Sequence, residues 1–149
     1  MQNKTPKNKI QWDKIYRIID ANFNRTGEGL RVVEEIARFF KEDSKITGKL
    51  RGIRHLLKKR FDNLNISKKN LLSARNSLND VGYNQKTFYE NKRTDIKDIA
   101  YANLRRVQES LRVLEEFSKL ISPKQSFAFK KMRFKIYTLE KEFFNALFS

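Results

Sequence analysis

Two stretches of this chain are near copies of each other. Ala21–Glu35 reads A-N-F-N-R-T-G-E-G-L-R-V-V-E-E and returns as A-N-L-R-R-V-Q-E-S-L-R-V-L-E-E at Ala102–Glu116, an offset of 102 − 21 = 81 positions. Of the 15 positions, 9 are identical, where roughly one match is expected from average residue usage. What repeats is polar as well as apolar: Asn22 with Asn103, Arg25 with Arg106, Glu28 with Glu109, Arg31 with Arg112, Glu34 with Glu115 and Glu35 with Glu116. Two copies with so long a period do not make a solenoid. The repeat instead constrains the chain to two pseudo-equivalent halves, residues 10–64 and 94–148, packed so that the shared polar residues meet near the joint.

The apolar spacing says what each half is made of. Trp12, Ile15, Ile19, Phe23, Leu30, Val33, Ala37 and Phe40 follow a helical period, which predicts one long helix from Ile10 to Phe40, kinked or tightly packed at Gly27 and Gly29 because each glycine costs about 1 kcal/mol in a helix interior. The polar run Lys41–Lys45 ends it. A second helix is expected over Thr47–Leu64, and a short third one capped by Ser67. Residues 76–93 lack apolar periodicity, and a span of that length inside a compact domain is usually functional or mobile, so the loop holding Asn79-Asp80-Val81-Gly82 is a candidate active loop. Thr94 suits the N-cap of a helix through Ile121. Ser122 with Gln125 makes a capping box, and Pro123 sits where its missing N–H is harmless, so a final helix runs to near Leu147. The expectation is an all-α bundle of four to five helices, with residues 1–9 a disordered tail and residues 10–149 a single domain.

A chain of 149 residues without cysteine needs no disulfide staple and has no thiolate metal site. No segment reaches the roughly 20 apolar residues of a membrane span, so a soluble, cytoplasmic protein with no membrane partner is expected. The net charge of +16, from 33 Lys plus Arg against 17 Asp plus Glu, points to an anionic partner. Nucleic acid and a small phosphate ester both satisfy it.

Advancing about 100° per residue places Asn22 and Arg25 inside the apolar arc of the first helix, with Glu28 at its edge and Glu35 beneath. Gly29 removes a side chain beside them, as a pocket would require. Asn103, Arg106, Glu109 and Glu116 fall at the same angles in the second copy, where Ser110 replaces Gly29. Buried guanidinium and carboxylate groups need partners. Either Arg25 and Arg106 pair with Glu116 and Glu35 across the halves, or the arginines hold phosphate while glutamates ligate Mg²⁺. Glu34, Arg31, Glu115 and Arg112 point the other way and read as surface ion pairs, or as pairs backing the site. His55 is the only histidine, either a packing residue or a catalyst. Beside it, Arg51 and Arg54 are better phosphate ligands than Lys58 and Lys59. There is no G-x-x-x-x-G-K-[ST] loop, no G-x-G-x-x-G after a strand and no H-E-x-x-H, so nucleotide chemistry here needs another phosphate cradle.

At these residues the chain resembles the small monofunctional hydroxymethylpyrimidine phosphate kinases of thiamine biosynthesis, which occur alone or fused ahead of thiamine-phosphate synthase. The matching pieces are Ile19-Asp20-Ala21-Asn22, Asn24-Arg25, Glu28 through Glu35, Arg54-His55, Ala74-Arg75, Asn79-Asp80-Val81-Gly82 and Ala102 through Glu116. The resemblance implies transfer of the γ-phosphoryl of ATP, with Mg²⁺, to 4-amino-5-hydroxymethyl-2-methylpyrimidine phosphate, and a functional link to thiamine-phosphate synthase. It leaves homo-oligomer formation open. Because the acceptor is already an anion, positioning and charge neutralisation carry such a reaction. Side-chain chemistry then suggests roles. Arg25, Arg106 and Arg75 take the phosphates; Glu28, Glu109 and Asp80 take the metal and, with Arg25 and Arg106, form the catalytic set. Asn22 and Asn103 take the pyrimidine edge, Arg93 clamps from the loop, and Arg54 and His55 complete the substrate-binding set.

Two other classes compete. A basic nucleic-acid-binding module is favoured by the charge and by lysines interleaved with Phe127, Phe129, Phe134 and Tyr137, although that aromatic spacing suits a core. A chorismate mutase-like helical-bundle enzyme would bind an anionic carboxylate without ATP or Mg²⁺.

Overall fold

A computed structural model describes residues 10–85 and 92–149. The expected tail, residues 1–9, and part of the candidate loop, residues 86–91, lie outside the described residues. The described chain is all-α: α1 (Trp12–Glu35), α2 (Ser44–Asp62), α3 (Lys68–Ala74), α4 (Ile96–Ser118) and α5 (Pro123–Phe148). α1 passes unbroken through Gly27 and Gly29 and continues into a π-helical turn at Ile36–Phe40.

Helix ends differ from expectation where a carboxylate competes for the cap. Asp43, inside the polar run, accepts from the Ile46 amide at 2.8 Å, so α2 starts at Ser44 rather than Thr47. Asp95, not Thr94, caps α4, accepting from the Asp98 amide at 2.9 Å. Thr94 instead donates to the Asp98 carboxylate. α4 ends at Ser118, short of Ile121, and Ser122 caps α5 by accepting from the Gln125 amide at 3.3 Å.

One interface organises the bundle. The Thr26 and Ser110 hydroxyls meet at 2.6 Å. One turn further along α1, a Cβ added to Gly29 would stand 2.8 Å from Val107 Cγ2 and 3.1 Å from the Asn103 carbonyl oxygen. Going from 26 to 29 on α1 therefore runs back from 110 to 107 on α4, and the two helices are antiparallel. Shifting by the repeat offset turns Thr26 into Val107 and Ser110 into Gly29, so each contact is the other's copy. The duplicated helices are related by a pseudo-two-fold axis through this crossing, perpendicular to the layer that they form. Such a rotation leaves equivalent residues on the same face of the layer.

α2 packs on α1 and α5 on α4, with α2 against α5. These helices obey the repeat with an offset of 122 − 43 = 79 between their caps, Asp43 and Ser122. The first half's connection is thus two residues longer and contains the π-helical turn. Ile19, Leu30, Val33, Leu50, Leu104, Leu111, Phe129 and Phe143 are fully buried among these four helices. α3 lies along α1 without a counterpart in the second half.

Candidate active site

The duplicated charges divide into paired and unpaired sets. Glu34 is 1 % exposed, and accepts from Arg54 Nε at 2.8 Å and Arg51 Nε at 3.4 Å. Its copy Glu115 is 4 % exposed, and accepts from Arg133 Nη2 and Arg112 Nη1, both at 3.0 Å. Burial raises both carboxyl pKa values, but hydrogen bonds and charge from the arginines reverse this and hold both below the ordinary value. The expected surface placement of Glu34 and Glu115 is therefore corrected: α2 and α5 cover that flank, and the two carboxylates tie each outer helix to its inner one. Arg54 and Arg133 occupy equivalent places, 133 − 54 = 79 positions apart. Arg31 pairs with Glu35 at 3.1 Å, while Arg112 and Lys119 reach Glu116 at 2.9 and 2.7 Å. The cross-half pairing of Arg25 and Arg106 with Glu116 and Glu35 does not form.

Arg25, Glu28, Arg106 and Glu109 make up the unpaired set. All four are exposed, which corrects their expected burial. α1 meets α4 through Thr26 and Gly29 and meets α2 through Phe23 and Glu34, so these contacts cover two arcs and leave a third, carrying Arg25 and Glu28, to solvent. None of the four forms an ion pair with the described residues; Arg25 donates only to Asn22 Oδ1, at 3.2 Å. Each directly precedes a residue of the α1–α4 crossing, namely Thr26, Gly29, Val107 or Ser110. The pseudo-axis puts them on one face. With Thr26 opposite Ser110 and Gly29 opposite Val107, Glu28 and Glu109 lie within about 1.5 Å along the helix axes and Arg25 and Arg106 about 7.5 Å apart. Asn22 is buried and donates to the Ile18 carbonyl at 2.8 Å; Asn103 repeats this with Ile99 at 2.8 Å.

The remaining predicted residues lie elsewhere. Arg75 forks onto Asp20 with bonds of 2.7 and 3.0 Å, and Arg17 donates to the Asn76 carbonyl at 2.9 Å. Together they anchor the start of the loop to α1. The hydrogen bonds to Asp20, then its charge, raise the Arg75 pKa. Asp80 is exposed and accepts from the Gly82 amide at 2.8 Å. Arg93 is exposed and donates to the Lys92 carbonyl at 2.9 Å. Arg54 is bound to Glu34, and His55 is exposed beside it. Among the described residues no group of three acidic or histidine side chains forms a metal cluster, so Glu28, Glu109 and Asp80 are not gathered as one ligand set. α1 and α4 turn Glu28 and Glu109 onto their solvent arcs, while Asp80 is held in its own turn.

Sequence reasoning missed a cleft on the outer flank of α1. One part, about 430 Å³, is lined by Phe23, Asn24, Gly27, Glu28, Arg31 and Arg54; the other, about 250 Å³, shares Phe23 and Asn24 and extends to Asp20, Phe61, Leu71 and Arg75. Phe23, common to both parts, stacks on Phe61 with centroids 3.8 Å apart. A second groove of about 700 Å³ lies between α2 and α5, lined by Lys49, Lys130, Lys131 and Lys135 with Phe127 and Phe134. Phe127, Phe134 and Tyr137 are exposed and only Phe129 is core, contrary to the core spacing expected of them, because α5 has a single inner neighbour and turns much of its circumference to solvent. No helix among the described residues is long and apolar enough to cross a membrane.

Comparison with known proteins places this duplicated helical layer in a family. The chain belongs to the ThiD2 family, which matches residues 17–142. It is similar to the thiamine-phosphate synthase of Synechocystis sp., 40% identical over 126 residues, which is 85% of this chain and 35% of that protein. The thiamine-phosphate synthase of Thermosynechococcus vestitus is 36% identical over 141 residues, 95% of this chain and 38% of that protein. That of Rhodopirellula baltica is 35% identical over 128 residues, covering 86% and 34%. The chain thus spans about a third of the length of the curated relatives it matches. No solved structure matches it.

Proposed function

We propose that this chain acts in thiamine biosynthesis as an ATP-dependent kinase of 4-amino-5-hydroxymethyl-2-methylpyrimidine phosphate, with its phosphate chemistry on the α1–α4 face. The observation that carries this reading is the division of the duplicated charges: those that tie helices together are paired, while Arg25, Arg106, Glu28 and Glu109 share a face without ion-pair partners among the described residues. Duplicated charges with no structural task are suited to a ligand. The similarity to thiamine-phosphate synthases supports the pathway, and the net charge of +16 suits two phosphorylated substrates.

In the reaction an oxygen of the acceptor monophosphate forms a new bond to the γ-phosphorus as the bond to the β,γ-bridging oxygen breaks, giving the diphosphate and ADP. The nucleophile is already anionic, so no proton need be removed, consistent with a face rich in arginine. Arg25 and Arg106 offer forked donors that match phosphate oxygens and oppose the charge gathered at the transferring group. Glu28 and Glu109, at one level on neighbouring helices, fit the few-carboxylate ligation that Mg²⁺ prefers, and the ion would neutralise triphosphate charge. Asn22 holds Arg25 in place.

The test is incubation of the protein with ATP, Mg²⁺ and the pyrimidine monophosphate, followed by mass spectrometry for the diphosphate. Absence of product defeats the proposal. The lysine-rimmed α2–α5 groove with exposed Phe127 and Phe134 favours a second reading, single-stranded nucleic-acid binding through phosphate contacts and base stacking. Affinity for an oligonucleotide that falls steeply with salt and survives Glu28→Ala and Glu109→Ala would select it.

A further inference from the structure

The repeat exposes an asymmetry between the halves. Gly27 stands in mid-helix at the floor of the outer cleft, yet packing does not demand it: an added Cβ would find its nearest neighbour, Leu57 Cδ2, at 4.0 Å. In the second half the positions of Asp20, Asn24 and Gly27 are taken by Tyr101, Arg105 and Gln108. These close the space. Arg105 Nη2 donates to the Tyr101 hydroxyl at 2.8 Å, and Gln108 reaches across to Glu140 on α5. Arg133 donates to the Tyr137 hydroxyl at 3.0 Å beside them. A side chain is therefore withheld in the first half where its copy fills the gap in the second.

The space so kept has a definite chemistry. Phe23 lines both parts of the cleft and stacks on Phe61, which lines the smaller part, with an interplanar angle of 14°. Asn24 lines the cleft with a carboxamide, a donor and an acceptor side by side, held only loosely by a 3.4 Å bond to Asp20. Glu28 borders both this cleft and the face carrying Arg25 and Arg106. A planar heterocycle bearing an exocyclic amine next to a ring nitrogen matches that amide, and both adenine and a 4-aminopyrimidine present such an edge.

The geometry points to this cleft as the seat of the amino-heterocyclic ring of one substrate, its amidine edge on Asn24 and its phosphate turned toward the α1–α4 face, one ring per chain. The assignment rests on the phosphoryl-transfer reading above and adds to it where the ring lies and which half holds it.

The test fills the cleft. Gly27→Leu should keep the circular dichroism of the wild type and melt no lower, while raising KM at least ten-fold for one substrate, ATP or the pyrimidine monophosphate, and leaving the other within two-fold. The substrate affected identifies the ring. Asn24→Ala should raise the same KM, and Arg105→Ala, at the copy of Asn24, should change neither. Unchanged values for both substrates in a folded Gly27→Leu, or equal rises for both, overturn the proposal; if that variant does not fold, Asn24→Ala decides by the same criterion. If wild-type protein forms no diphosphate, the kinase reading fails by itself. Calorimetric titration with ATP and with the monophosphate then judges the cleft: one ring bound per chain and lost in Gly27→Leu sustains it, whereas two per chain, none, or unaltered binding in the variant rejects it.

Discussion

Two glycines a single residue apart in α1 should respond oppositely to the same substitution. Replacing glycine by alanine in a helix interior gains roughly 0.8–1 kcal/mol from lost unfolded-state freedom. At Gly27 little opposes this, since the new methyl group would meet Leu57 Cδ2 at 4.0 Å, an ordinary contact. At Gly29 the methyl would stand 2.8 Å from Val107 Cγ2 and 3.1 Å from the Asn103 carbonyl oxygen. The valine can rotate, but the carbonyl belongs to the α4 backbone, so relief requires α4 to move away from α1. Overpacking of this kind costs typically 1–3 kcal/mol, and stretching the Thr26–Ser110 hydroxyl pair adds about 1 kcal/mol. Gly27→Ala should therefore stabilise by about 0.5–1 kcal/mol and Gly29→Ala destabilise by about 1–3 kcal/mol. For a chain of this size each kcal/mol shifts Tm by roughly 2–4 °C. Urea denaturation with both variants against wild type measures the difference. Equal stabilisation by the two would refute the close α1–α4 crossing, and with it the pseudo-axis that puts the four unpaired charges on one face.

Arg25→Ala and Arg106→Ala should each lower kcat by about 10²-fold or more, the scale of losing one charge-stabilising donor, with Tm held within about 2 °C because neither guanidinium forms an ion pair among the described residues; normal turnover by either variant would remove that half from the site. Glu34→Ala and Glu115→Ala should each destabilise by about 2–3 kcal/mol, below the 3–5 kcal/mol of a fully buried pair because the arginines keep partial contact with water, whereas Glu35→Ala should stay within about 0.5 kcal/mol; chemical denaturation ranks them. The pH dependence follows in sign. Glu34 and Glu115 have folded-state pKa values below the ordinary one, so their contribution is present above the unfolded carboxyl value of about 4.3 and is lost as pH falls through the lower folded values. Stability measured from pH 6 down to pH 3 should drop below about pH 4.3, less steeply in Glu34→Gln, and a flat profile would contradict the buried pairs.

The local period of the chain determined its helices, because a helix shows its buried stripe every three to four residues whatever it packs against. The caps Ser67 and Ser122 and the first position of Pro123 were legible for the same reason: each acts on its own backbone. Thr94 was misread where two adjacent residues could both cap and only the geometry of the turn chose Asp95. The repeat also announced two related helices, but at the offset of 79 the outer helices share only two identities, Lys45 with Lys124 and Arg54 with Arg133, so their equivalence emerged from the packing. Which side of each helix was covered depended on neighbours far along the chain. Three helices pack against α1, and α2 buried Glu34 while Arg25 and Glu28 stayed in water. The outer cleft is tertiary in the same way: Gly27 and Gly29 look alike in the sequence, and only the approach of α4 on one side, and its absence on the other, makes one a packing necessity and the other an opening.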